Sequence, residues 1–163
     1  MQVIAELKRM SEERFLAIYE ALLNNGFGPL DGEVAKALKF RPQAVKKLPL
    51  KLRARRARLI LERGSKAEMC YELFGSYLLK KRKELVLAFL DGTGVEHDDG
   101  MIANIEECKP DPEKIAAVIA ELDRQHPAED VTLYLSICAE QWTSVPEIQA
   151  AWRERQPAAA PSG

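Results

Sequence analysis

The densest cluster of side chains able to hold a metal or move a proton is Glu96-His97-Asp98-Asp99, with Cys108 eleven residues after His97. A metal centre draws on such imidazole, carboxylate and thiolate groups, and a Cys-His pair makes a nucleophile. The spacings those chemistries need are missing. Cys70, Cys108 and Cys138 stand far apart with no Cys-x-x-Cys pair, and no glycine sits where a calcium loop between Asp91 and Asp99 would turn. Adjacent acids in a turn are ordinarily solvated. Cys70 and Cys138 fall on apolar stripes, as small core residues do. The chain also has no phosphate-binding Gly-rich loop, dinucleotide fingerprint or Gly-x-Ser-x-Gly elbow. The expectation is a non-enzymatic protein with no catalytic residues, metal or cofactor.

Charge is the second concentration of chemistry. Between Lys36 and Lys66 twelve Lys or Arg stand against one acid, Glu62, a net +11 in 31 residues, whereas fifteen acids and five bases from Asp91 onward give -10. The chain as a whole carries only -1. Such asymmetry asks for a partner: the acidic C-terminal half of the same chain, an acidic protein, or a nucleic acid. Aromatic residues are absent between Phe40 and Tyr71, so the basic stretch offers no stacking platform for single strands, and duplex is the better match.

Within the basic stretch, residues 33–48 (Glu-Val-Ala-Lys-Ala-Leu-Lys-Phe-Arg-Pro-Gln-Ala-Val-Lys-Lys-Leu) resemble the helix-turn-helix of small phage-type repressors. Ala35 stands where a small residue lets the second helix approach, Phe40 where an apolar residue packs after the turn, and Leu38, Val45 and Leu48 where apolar anchors fall. The resemblance implies that Arg41, Gln43, Lys46 and Lys47 face the major groove or its flanking phosphates, with Gln43 able to pair bidentately with adenine. Lys51, Arg55 and Arg56 would add phosphate contacts from the next helix. At the turn, where the motif usually carries Gly in a left-handed conformation, this chain has Lys39, for which that conformation costs about 1 kcal/mol. A dimer is compatible with this reading, because a lone small motif binds duplex DNA weakly. The alternative is a protein-interaction adaptor whose charged faces bind a partner protein.

The elements that must position these residues read as helices from end to end. Ser11 followed by Glu12 and Glu13 suits a helix start, and Phe15, Ile18, Tyr19, Leu22 and Leu23 keep helical spacing until Gly26. Residues 2–10 could continue that helix backward. Gly26 to Gly32 reads as a loop, Glu33 to Phe40 and Pro42 to Leu48 as two short helices, and Leu50 to Arg63 as a helix closed by Gly64. Ser65 and Glu68 make a capping-box pattern for a central helix whose stripe falters at Lys80 to Lys83. Asp99-Gly100 is a turn signal that would make a tiny hairpin near residues 94–103. Asp111-Pro112, Pro127 and the pair Ser144 and Glu147 then start three more helices.

The predicted fold is all-α: a single-domain bundle of six to eight helices over residues 1–155, with a basic subregion at 33–64, an acidic half at 91–155 and a loose tail at 156–163. A hydrophobic content of 47% over 163 residues is enough to pack a core without disulfides. The longest apolar run, Leu85 to Leu90, is far short of the roughly 20 residues a membrane-crossing helix needs. With the odd, scattered cysteines, this suggests a cytoplasmic protein with no membrane role.

Overall fold

The structure, a computed structural model, describes residues 2–23, 29–39, 41–63 and 66–157. Those residues form ten α-helices and no strand, so the fold is all-α. The helices outnumber the expected six to eight because the chain breaks at two places where a continuous helix was allowed for. The chain divides into two compact units, Met1–Lys81 and Arg82–Gly163.

The first unit holds α1 (Gln2–Arg9), α2 (Glu12–Leu23), α3 (Pro29–Leu38), α4 (Pro42–Lys46), α5 (Leu50–Leu61) and α6 (Ala67–Lys81). Ser11 makes the first break. Its hydroxyl accepts the Arg14 N–H at 3.1 Å, and Glu12 and Glu13 fill the first turn of α2, where the helix dipole favours acids. Phe15, Ile18, Tyr19 and Leu22 are buried on α2, which packs on α5 and α6. Residues 26–32 do not form the loop expected along their whole length, because α3 already begins at Pro29. Proline suits a first helical position. Burial of Leu30, together with the bonds of Asp31 to Arg53 and Tyr19, offsets the roughly 1 kcal/mol that Gly32 costs inside a helix. Gly64 and Ser65, the expected stop of α5 and cap of α6, lie outside the described residues.

The second unit holds α7 (Lys83–Gly92), α8 (Pro112–Gln125), α9 (Ala128–Gln141) and α10 (Pro146–Glu154). Arg82, with φ -133° and ψ 37°, makes the second break, inside the lysine run where the apolar stripe falters. The core centres on α9, where Val131, Leu135 and Cys138 are fully buried and Tyr134 meets Phe89 of α7 edge-on at 5.3 Å between ring centroids. Asp130, also buried, accepts a hydrogen bond from Arg82 Nε at 2.7 Å. Asp111 caps α8 as expected, accepting the Glu113 N–H at 3.1 Å with Pro112 at the first helical position. The capping box expected of Ser144 and Glu147 does not form. Pro146 takes the first helical position of α10, so Val145 is the N-cap. Helices α7 and α8 approach closely at Gly92, where a Cβ would lie 2.8 Å from Val118 Cγ2.

The hairpin shrinks to one turn. Asp98 and Met101 form an isolated antiparallel bridge with reciprocal N–H to carbonyl bonds of 2.8 and 2.9 Å. Asp99 at φ 52° and Gly100 at φ 94° supply the two left-handed residues of a tight turn. Of the expected loose tail, residues 158–163 lie outside the described residues.

Candidate nucleic-acid interface

The turn between α3 and α4 is the centre of the candidate site. Lys39 has φ 56°, one of only two positive-φ non-glycine residues among those described. This is the left-handed conformation that the helix-turn-helix resemblance requires at this position, adopted without the glycine that would make it easy. Arg41 then extends to φ -75° and ψ 150°, and Pro42 opens α4. Val34, Ala35 and Val45 are buried between the two helices and the rest of the unit, while Leu38 and Leu48 are half-buried. Phe40, the expected apolar residue after the turn, lies outside the described residues.

The second helix is shorter than its sequence suggests. It ends at Lys46 in place of Leu48, because Lys47 bonds back to Ala44 and Leu48 to Val45 ahead of Pro49, which stands as the N-cap of α5. Five helical residues span about 7.5 Å, the length of roughly two base steps. Arg41, Gln43, Lys46 and Lys47 are all exposed on this short element.

The cations from Lys39 to Arg58 sort into two groups. Arg53 is buried, and its guanidinium holds both carboxylate oxygens of Asp31, with Nε at 3.1 Å from Oδ1. Tyr19 donates to the same Asp31 oxygen at 3.1 Å, so one carboxylate ties α2, α3 and α5 together. Burial, and secondarily the Asp31 charge, raises the Tyr19 phenol well above its ordinary range. Arg58 donates to the carbonyls of Leu7 and Met10 at 2.7 and 2.6 Å, closing the end of α1, and pairs with Glu62 at 3.2 Å. Arg55 pairs with Glu12 at the surface, where such a pair is worth only about 0–1 kcal/mol. Its expected phosphate contact must therefore displace Glu12.

The second group faces solvent. Among the described residues Lys39, Arg41, Lys46, Lys47, Lys51 and Arg56 are exposed and make no ion pair, so their charge remains available to an outside anion. The acids that pair with the α5 arginines, Asp31, Glu12 and Glu62, all belong to the first unit. The expectation that this basic stretch is neutralised by the acidic C-terminal half thus does not describe these pairs.

The Asp91 to Cys108 stretch uses its imidazole and several backbone groups structurally, while Glu96 and Asp98 stay exposed. His97 is held from both ring nitrogens: Nε2 lies 2.7 Å from Asp91 Oδ1, and Nδ1 accepts the Gly100 N–H at 3.0 Å. Both nitrogens are thus engaged within the loop. The backbone carbonyls of Ile105 and Cys108 both accept from the buried Trp142 indole at 3.1 Å, and Asn104 accepts the N–H groups of Glu106 and Glu107. No three His, Cys, Asp or Glu side chains among the described residues are grouped to hold a metal. Burial pushes the Cys138 thiol far up from its usual range, which keeps it an inert core group.

Sequence reading missed the Asp31, Arg53 and Tyr19 cluster because Asp31 fell in a supposed loop. One signal was available. Arg53 occupies the same helical arc as Ala54, Ala57 and Ile60, and a cation on a buried arc requires a buried acid. Comparison with protein-family models, curated proteins and solved structures finds no match to this chain. No helix among the described residues is long and apolar enough to cross a membrane.

Proposed function

We propose that the first unit binds duplex DNA through α3, α4 and the start of α5, mainly by neutralising phosphates. The observation that carries this reading is the left-handed Lys39 turn, flanked by buried Ala35 and Val45, which presents Arg41, Gln43, Lys46 and Lys47 on one short exposed element. Lys39, Lys51 and Arg56 widen the cationic surface. Because α4 covers only about two base steps, direct readout is confined to Gln43 and Arg41. Affinity then comes chiefly from counterion release, with little dependence on base sequence.

Six cations engaging phosphates make log affinity fall against log salt with a slope near -5. Titration of a labelled random-sequence duplex at about 50 and 200 mM salt measures it. Replacing Lys46 and Lys47 with Ala should weaken binding and bring the slope toward about -3 or -4. Absence of binding at the lower salt, or a slope unmoved by the double variant, rejects the reading.

A further inference from the structure

Helix α5 turns Arg53, Ala54, Ala57, Ile60 and Leu61 inward. Its opposite side carries Leu52 and Leu59, 38% and 55% exposed, one above the other at i and i+7 on a ridge about 10 Å long. Arg55, Arg56 and Arg63 stand exposed beside that ridge. One other large hydrophobic residue among those described is exposed: Met101, at 64%. It closes the tight turn that begins at Asp98, and Glu96, Asp98 and Asp99 are exposed around it, Asp99 being paired with Lys83.

Both patches expose apolar side chains, and the units that carry them have opposite charge. Seventeen bases against nine acids give residues 1–81 a net +8, and sixteen acids against seven bases give residues 82–163 a net -9. Burying the ridge against another α5 would bring arginines face to face, which like-charge repulsion opposes. The acidic turn meets the same ridge with charge of the right sign.

We propose that the Leu52 and Leu59 ridge of α5 docks the Met101 turn of a second copy of this chain, so that copies associate head to tail. Met101 seats against the two leucines, while Arg56 and Arg63 face Glu96 and Asp98 and set the orientation. The patches are small beside the roughly 800 Å² per partner of a stable interface, so the association is weak, rapid and salt-sensitive. Ridge and turn are different surfaces, so a pair joined by one such contact keeps one ridge and one turn open to further copies. This contact does not rest on the DNA reading, and its test contains no nucleic acid.

Sedimentation of the full chain over a concentration series up to about 0.5 mM, at about 50 mM salt, should show the mean mass rising above the 18.3 kDa of a single chain. At about 1 M salt it should return to that value. Two variants decide the geometry: Leu52→Glu with Leu59→Glu, which spoils the ridge, and Glu96→Lys with Met101→Lys, which spoils the turn. All four positions are exposed, and the Asp99-Gly100 turn residues are kept. Each variant alone should stay a single chain, and an equimolar mixture should recover a pair and stop there, because one good ridge and one good turn remain. A wild-type chain that never rises above one-chain mass at low salt overturns the proposal. So does association that survives either variant, or a mixture that stays unassociated.

Discussion

Between Lys39 and Arg56 most cations end in solvent, whereas between Asp91 and Cys108 the imidazole is spent on holding a turn and the groups left exposed are carboxylates such as Glu96 and Asp98. His97 gives one ring nitrogen to Asp91 and the other to a turn N–H, and the carbonyls of Ile105 and Cys108 anchor Trp142. The basic stretch makes the same internal investment at Lys36, Arg53, Arg55, Arg58 and Lys66. Residue type alone would rank the acidic cluster first. What separates the two stretches is the kind of group that still lacks a partner after folding, cations in one and carboxylates without a free imidazole in the other, since a group already satisfied gains little from an outside ligand.

The largest test of this contrast is the buried cation Arg53. Asp31→Ala leaves the Arg53 charge buried and unpaired, and should lower unfolding free energy by about 3–5 kcal/mol in urea denaturation. Replacing both residues with apolar ones of similar size should return most of that loss. If the single change costs less than about 1 kcal/mol, the pair is not the clamp described here.

In the second unit, Gly92→Ala places a methyl 2.8 Å from Val118 Cγ2 and should destabilise by about 1–2 kcal/mol, part of the clash being offset by alanine's better helix propensity. Val118→Ala in the same chain should relieve it, as thermal unfolding of the two variants would show.

Lys39→Gly should move stability and binding in opposite directions. Relief of the left-handed backbone should stabilise by about 0.5–1 kcal/mol, while loss of one cation reduces the salt slope for duplex binding by about 0.9. A destabilised variant would mean that the turn at residue 39 is not left-handed in solution.

The smallest effect is on pH. The hydrogen bond from Arg55 holds the Glu12 carboxyl below its ordinary value, and that from Lys66 does the same for Glu33. Because both are lowered on folding, their contribution is complete above the ordinary carboxylate range and is lost as pH falls through the lowered values. Melting temperature should therefore drop below about pH 4.5, and drop less steeply in a variant carrying Glu12→Gln and Glu33→Gln.

Much of the scaffold was legible from local rules. Ser11, Asp111 and Pro112 start helices where their side chains or missing N–H groups say they should, and Asp99-Gly100 turns the chain as its backbone preference demands. Local rules failed where a longer-range contact outweighed them. Gly32 is helical because Leu30 and Asp31 are buried, and Ser144 does not cap α10 because Pro146 presets the helix start one residue later. Within the candidate interface the sequence left open which cations reach the surface, and the structure exposes Arg41, Lys46, Lys47, Lys51 and Arg56 and ends α4 at Lys46 where the sequence extended it to Leu48.

Hydrophobic spacing and capping chemistry act over a few residues, so the amino-acid order was enough to specify an all-helical chain and to place its charge in two opposed blocks. Which arginines are free is a different kind of fact. Arg53 and Arg56 are the same residue type three positions apart, and only the packing of α2, α3 and α5 puts one beside a buried carboxylate and leaves the other in water. That outcome depends on groups 12 and 22 residues away from Asp31 along the chain, a distance that local propensity does not reach.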